Sequence, residues 1–121
     1  MNTIIAQIKL SHPNGVLIIN LYDTPASHQL LAQIPLTLDF SDYVNSEKIA
    51  YLPRKLSINN TPNTLQQIGD FTYYAPWGNL AIFYYDSTRH RDLYALGYIV
   101  SGKEQLVTIT DNFTASLSIV D

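Results

Sequence analysis

The polarity of the chain changes with period two far more often than with the helical period. Residues 4–10 and 16–22 are β-branched-rich runs. In the first, Ile4, Ala6, Ile8 and Leu10 alternate with Ile5, Gln7 and Lys9. In the second, Val16, Ile18 and Asn20 face opposite to Leu17, Ile19 and Leu21. Between them, Asn14-Gly15 supplies the positive φ of a tight turn, so the two runs predict a β-hairpin. Residues 36–40, Leu-Thr-Leu-Asp-Phe, alternate apolar and polar, the mark of a strand with one wet face. A further short strand is predicted over residues 48–52, ended by Pro53.

Phe71 to Ala75 and Asn79 to Tyr85 predict two more strands joined by Pro76-Trp77-Gly78. Proline presets φ at that corner, and glycine tolerates the backbone conformation that completes it. Residues 93–100, 105–110 and 113–120 are read as the last strands, with turns at Ser101-Gly102 and Asp111-Asn112. Residues 59–67, rich in Asn, Thr and Gln, predict the longest surface loop, and 86–92 a polar turn.

One helix interrupts the strands. Thr24 is placed to cap it, and Pro25 fits the first helical position, where a missing N–H costs nothing. Asp23 lies near the positive end of its dipole. Leu30, Leu31 and Ile34 form its apolar face, and Pro35 stops it. Eight or nine short strands without room for βαβ crossovers predict an all-β, mainly antiparallel sheet. In so small a chain, such a sheet must close into a barrel or fold into a sandwich to hide its edges.

Composition narrows the function classes. The chain has 121 residues, enough for one domain, here taken as 4–120. It has no cysteine, which excludes disulfides, thiolate chemistry and cysteine zinc sites. His12, His28 and His90 are scattered and form no metal-ligand motif, so no metal or cofactor is expected. A net charge of −3 argues against nucleic-acid partners, which need a basic surface. No signal peptide and no run long enough to span a bilayer are read, so a cytoplasmic location is expected and no membrane partner. Oligomeric state is left open.

Half of the fourteen aromatic residues fall between Phe71 and Tyr85. They are read either as ligand platforms or as cross-strand packing inside a barrel. Tyr51, Arg54, Tyr73, Trp77 and Tyr84 are the lining candidates for an aromatic cleft with one cationic anchor, which would hold a small molecule or an extended peptide. Trp77, in a turn, is equally suited to a contact role. Arg54 is suited to an anion or carbonyl, or else to an ion pair with Glu47 or Asp70. Asp70, after Gly69, reads chiefly as a turn cap. Glu47 and Lys48 are strand neighbours, so their side chains point to opposite faces and do not act together. Asp39 and Asp42 lie too near a polar turn to point to acid–base work. The Arg89-His90-Arg91 run reads as a solvated loop, with phosphate binding as the alternative.

Two blocks carry a family resemblance. Glu47-Lys48, Leu52-Pro53 and Leu56 are followed by Gly69-Asp70 and then by Tyr74-Ala75-Pro76-Trp77-Gly78-Asn79-Leu80-Ala81-Ile82-Phe83-Tyr84. Together with the helix after Tyr22-Asp23-Thr24-Pro25, the strand at Leu36 and the segment Leu96-Gly97-Tyr98-Ile99, the pattern resembles the bacterial cyclophilin-like domain family over residues 4–102. The resemblance implies a small closed cyclophilin-like β-barrel with one or two short helices. Most members have no assigned biochemical role. True cyclophilins are prolyl isomerases that set an arginine beside an apolar pocket. Their Phe-His-Arg and Phe-Met-x-Gln motifs are absent here. The resemblance therefore leaves weak isomerase activity, with Arg54 as its catalytic group, as an alternative to ligand binding. A structural or assembly role is a third reading.

Overall fold

The computed structural model describes residues 3–63, 67–85 and 92–120. Its eight strands are β1 (Ile4–His12), β2 (Gly15–Tyr22), β3 (Leu36–Tyr43), β4 (Glu47–Tyr51), β5 (Asp70–Tyr74), β6 (Asn79–Phe83), β7 (Leu93–Ser101) and β8 (Phe113–Ile119). They close into one barrel in the order β1-β2-β7-β5-β6-β4-β3-β8, and every pairing is antiparallel. A helix α1 (Pro25–Gln33) follows β2, and a 3-10 segment η1 (Lys103–Thr108) follows β7. The expected small cyclophilin-type barrel is what forms.

Alternation builds the interior. Ile8 and Leu10 of β1 meet Leu17, Ile19 and Leu21 of β2, all fully buried. Leu38 and Phe40 of β3, Phe71 and Tyr73 of β5, and Leu80 and Ile82 of β6 complete the same cluster. Phe40 stacks on Phe113, with centroids 5.2 Å apart. One glycine is dictated by close approach: a Cβ on Gly97 would lie 1.8 Å from the Asn20 carbonyl oxygen, across the β2–β7 pairing.

The barrel has two differently closed ends. At one, α1 packs Ala26 and Leu30 into the core, with Leu31 and Ile34 against it. Thr24 caps the helix as predicted, its Oγ1 accepting from the Ser27 amide at 3.2 Å. Asp23 directly precedes the cap, and its carboxylate meets His28 Nε2 at 2.8 Å. At the other end, η1 crosses the barrel. The strand predicted over residues 105–110 does not form. Gly102, at φ 95°, turns the chain off β7, and amides donate i to i−3, from Gln105 to Gly102 and from Ile109 to Leu106. The reason is tertiary: Leu106 is fully buried and plugs the barrel, while His12 Nε2 donates to Gln105 Oε1 at 2.7 Å. The loop expected over 59–67 and the Pro76-Trp77-Gly78 corner are both present where described. The Arg89-His90-Arg91 run lies outside the described residues.

Candidate functional site

β3 and β4 form the shortest seam of the barrel, and both candidate clefts lie on it. They pair at Ser41–Ile49, Asp42–Lys48 and Tyr43–Glu47 only. Beyond Ser41, β3 runs back to Leu36 paired with β8 alone. Beyond Ile49, β4 continues through Tyr51 paired with β6 alone. The two strands therefore splay into a fork. The fork is a cleft of about 410 Å³ lined by Thr37, Leu38, Asp39, Tyr51, Leu52 and Pro53. Leu38 and Leu52 are buried, whereas Tyr51 is 57% exposed. Asp39 Oδ1 accepts from Thr114 Oγ1 at 2.9 Å. Among the described residues no strand pairs with the β4 side of residues 36–40.

An unpaired strand edge presents alternate N–H and C=O groups, a template for another extended chain. Pro53 lacks an N–H, so the β4 side of the fork is the poorer edge. The five residues of β3 give an edge of roughly 16 Å at about 3.3 Å per residue.

The second cleft lies at the η1 end, where the seam is made. It has about 280 Å³ and is lined by Asp42, Asn45, Lys48, Tyr84, Val107, Ile109 and Thr110. Asp42 and Lys48 are register partners and continue the inward-facing positions of Phe40 and Ala50. The Lys48 side chain is only 3% exposed, that of Asp42 29%. Lys48 Nζ donates to Asp42 Oδ1 at 3.2 Å and to the Ile109 carbonyl at 2.7 Å. It also sits 4.7 Å over the Tyr84 ring. The Tyr84 hydroxyl donates to Asp42 Oδ1, and the Asn45 amide donates to Oδ2 at 2.9 Å.

These contacts set the protonation states. Burial pushes Asp42 upward, but hydrogen bonds from Tyr84, Lys48 and Asn45, with the Lys48 charge, outweigh it and hold the carboxyl below its usual range. Tyr84 is driven well above the usual phenol range by burial, then by its hydrogen bond to Asp42 and by that carboxylate's charge. The cleft is flanked by a strained turn. Val44 and Asn45 adopt φ of 47° and 57°, and Val44 is exposed. A β-branched residue held there costs on the order of 1 kcal/mol or more.

The five residues singled out from sequence do not share one cleft. Tyr51 lines the fork and Tyr84 the η1-end cleft. Arg54 is exposed and lines a cleft of about 160 Å³ with Gln29, Ala32, Gln33 and Lys55. Tyr73 is a core residue, 1% exposed, whose hydroxyl accepts from the Leu56 amide at 3.0 Å. Trp77 is 43% exposed and stands edge-on to Tyr43 and Tyr74 at 5.5 and 5.3 Å. Asp70 caps its turn, Oδ2 accepting from the Gln67 amide at 2.8 Å; burial raises its pKa and that hydrogen bond opposes the rise. Sequence reasoning passed over Asp42 and Lys48 as partners. The signal was present: each is a charged residue in the inward register of its own strand. Among the described residues no group of three or more His, Asp or Glu gathers as for a metal. No helix there is long and apolar enough to cross a membrane.

Comparison with known proteins agrees with this architecture. The model of the cyclophilin-like family matches residues 10–118, and the chain belongs to that family. The match extends the resemblance past residue 102, across η1 and most of β8. A hypothetical protein from Archaeoglobus fulgidus, solved in solution, superposes with a TM-score of 0.69 at 13% identity, covering 99% of this chain and 98% of that one. At that identity the likeness is one of fold. None of the curated proteins compared with the chain matches it.

Proposed function

We propose that this domain is a binding module that takes an extended peptide into the fork between β3 and β4. The observation that carries the reading is the ladder that stops at Ser41–Ile49 while both strands continue. A peptide entering there pairs its main chain with the free side of β3. It packs alternate side chains on Leu38 and Leu52, and against the exposed ring of Tyr51. Main-chain pairing supplies affinity and the side-chain contacts supply selectivity. Asp39 adds a negative charge to the fork and favours a peptide carrying Lys or Arg near its middle.

No comparable observation favours the isomerase reading. Of the side chains around Arg54, Ala32 alone is apolar, so the cleft offers no wall to grip a proline ring. Prolyl isomerisation accelerated by the protein and lost in Arg54→Ala would restore that reading.

The test is selection from random heptapeptides, followed by backbone NMR of the complex. Selected peptides should shift the amides of residues 37–40 and 51–52. N-methylation at alternate peptide positions should lower affinity about tenfold or more, while the other register is tolerated. Absence of binders, a footprint elsewhere, or indifference to N-methylation in both registers would refute the proposal.

A further inference from the structure

We propose that the η1-end cleft is a separate binding site, for a small uncharged molecule with a carboxamide headgroup and a short alkyl body. The inference is independent of the peptide fork and rests on counting donors and acceptors. An ammonium has three N–H donors and an ionised carboxylate roughly four acceptor positions. Lys48 uses two donors, on Asp42 and on the Ile109 carbonyl. Asp42 uses three acceptor positions, for Lys48, Tyr84 and the Asn45 amide. Among the described residues neither makes a further hydrogen bond. Apart from its contact with the Tyr84 ring face, Lys48 therefore has one N–H with no oxygen partner, and Asp42 one acceptor position, in a cleft that both residues line. A carboxamide answers both, its carbonyl accepting from Lys48 and its N–H donating to Asp42 Oδ2.

Charge excludes the ionic alternatives. Lys48 and Asp42 neutralise one another across 3.2 Å, so the site has no net charge to select an ion. A carboxylate would face Asp42 and an ammonium would face Lys48, each bringing an uncompensated charge out of water. The remaining wall is mixed: Val107, Ile109 and the ring of Tyr84 give it an apolar side, beside Asn45 and Thr110. The volume holds roughly nine waters at about 30 Å³ each, the scale of a six-carbon amide. The site is also built at a structural cost. Lys48 is almost wholly buried, and the adjoining turn holds an exposed valine at positive φ. Such strain gathers at ligand clamps.

Hexanamide, hexanoate and hexylammonium form an isosteric series that separates headgroup from body. Each is titrated into the whole protein while the amides of Asn45, Val107 and Thr110 are followed by NMR. Hexanamide is expected to shift them saturably and to bind about tenfold or more tighter than either ion, a difference of about 1.4 kcal/mol. Lys48→Met should abolish that preference. Val107→Asp alters an exposed residue, should leave the fold intact, and should weaken hexanamide about fivefold or more by placing a charge on the apolar side of the cleft. It therefore tests the site even where Lys48→Met does not fold. Tighter binding of either ion, no saturable shift with hexanamide, or hexanamide affinity unchanged in Val107→Asp would overturn the proposal.

Discussion

The two stretches of the β3–β4 seam differ in what they do with their polar groups. Where the ladder is made, between Ser41–Ile49 and Tyr43–Glu47, main chains satisfy one another and side chains carry the chemistry. There Asp42, Lys48 and Tyr84 form a hydrogen-bonded network under η1. Where the ladder stops, over residues 36–40, the side chains are ordinary and the main chain itself is on offer. The same strand pair thus builds a headgroup site at one end and a strand-addition site at the other. A barrel hides its edges by closure, and this one leaves part of one seam unclosed.

The strongest way to break this comparison is at Lys48. Lys48→Ala leaves Asp42 without its cation and the Ile109 carbonyl without its donor. Loss of a buried pair costs about 3–5 kcal/mol, and the partial exposure of Asp42 brings the expectation to about 2–4. Urea unfolding measures it. Leu38→Ala, in the floor of the fork, should cost about 2 kcal/mol, the low end for a buried leucine, because the adjoining cleft lets the site relax.

pH sharpens the difference more gently. Asp42 has a depressed pKa, so its contribution is complete above the ordinary carboxylate value near pH 4 and is lost as pH falls through its folded value. The urea midpoint should therefore drop on going from pH 5 toward pH 2, and Lys48→Met should flatten part of that drop. Asp70 has the opposite sign. Its raised pKa favours folding as pH falls toward its ordinary value, so Asp70→Asn should steepen the net decline. The smallest stability effect belongs to Tyr51→Ala. With the ring 57% exposed, it should change stability by no more than about 0.5 kcal/mol, yet weaken a selected peptide about tenfold. That split, read from unfolding and titration together, separates the fork from the network at the other end.

The legibility of the molecule divides along the same lines. Local chemistry was readable: Asn14-Gly15, Thr24-Pro25 and Pro76-Trp77-Gly78 mark two hairpins and a helix start where they form. The pattern of apolar and polar positions likewise located all eight strands and most of the interior. The stretch at 105–110 was not readable, because apolar Leu106, Val107 and Ile109 fit a short strand as well as a plug. Only burial of Leu106 and the turn at Gly102 decide it. The pairing of Asp42 with Lys48 needed the register of two strands, although each residue betrayed itself as a charge in an apolar row. The fork depends on where a ladder ends, which no single strand encodes. The five aromatic and basic candidates were chosen for their chemistry, and chemistry alone did not bring them to one place.

Hydrogen exchange of the β3 amides in the free protein tests the central claim most directly. Along residues 36–40 the account predicts alternation, with amides facing β8 protected and amides facing the fork exchanging freely. From Ser41 to Tyr43, where β4 takes up the pairing, protection should pass to the amides that face β4. Uniform protection across 36–40 would mean the seam is closed in solution and would contradict the strand-addition site.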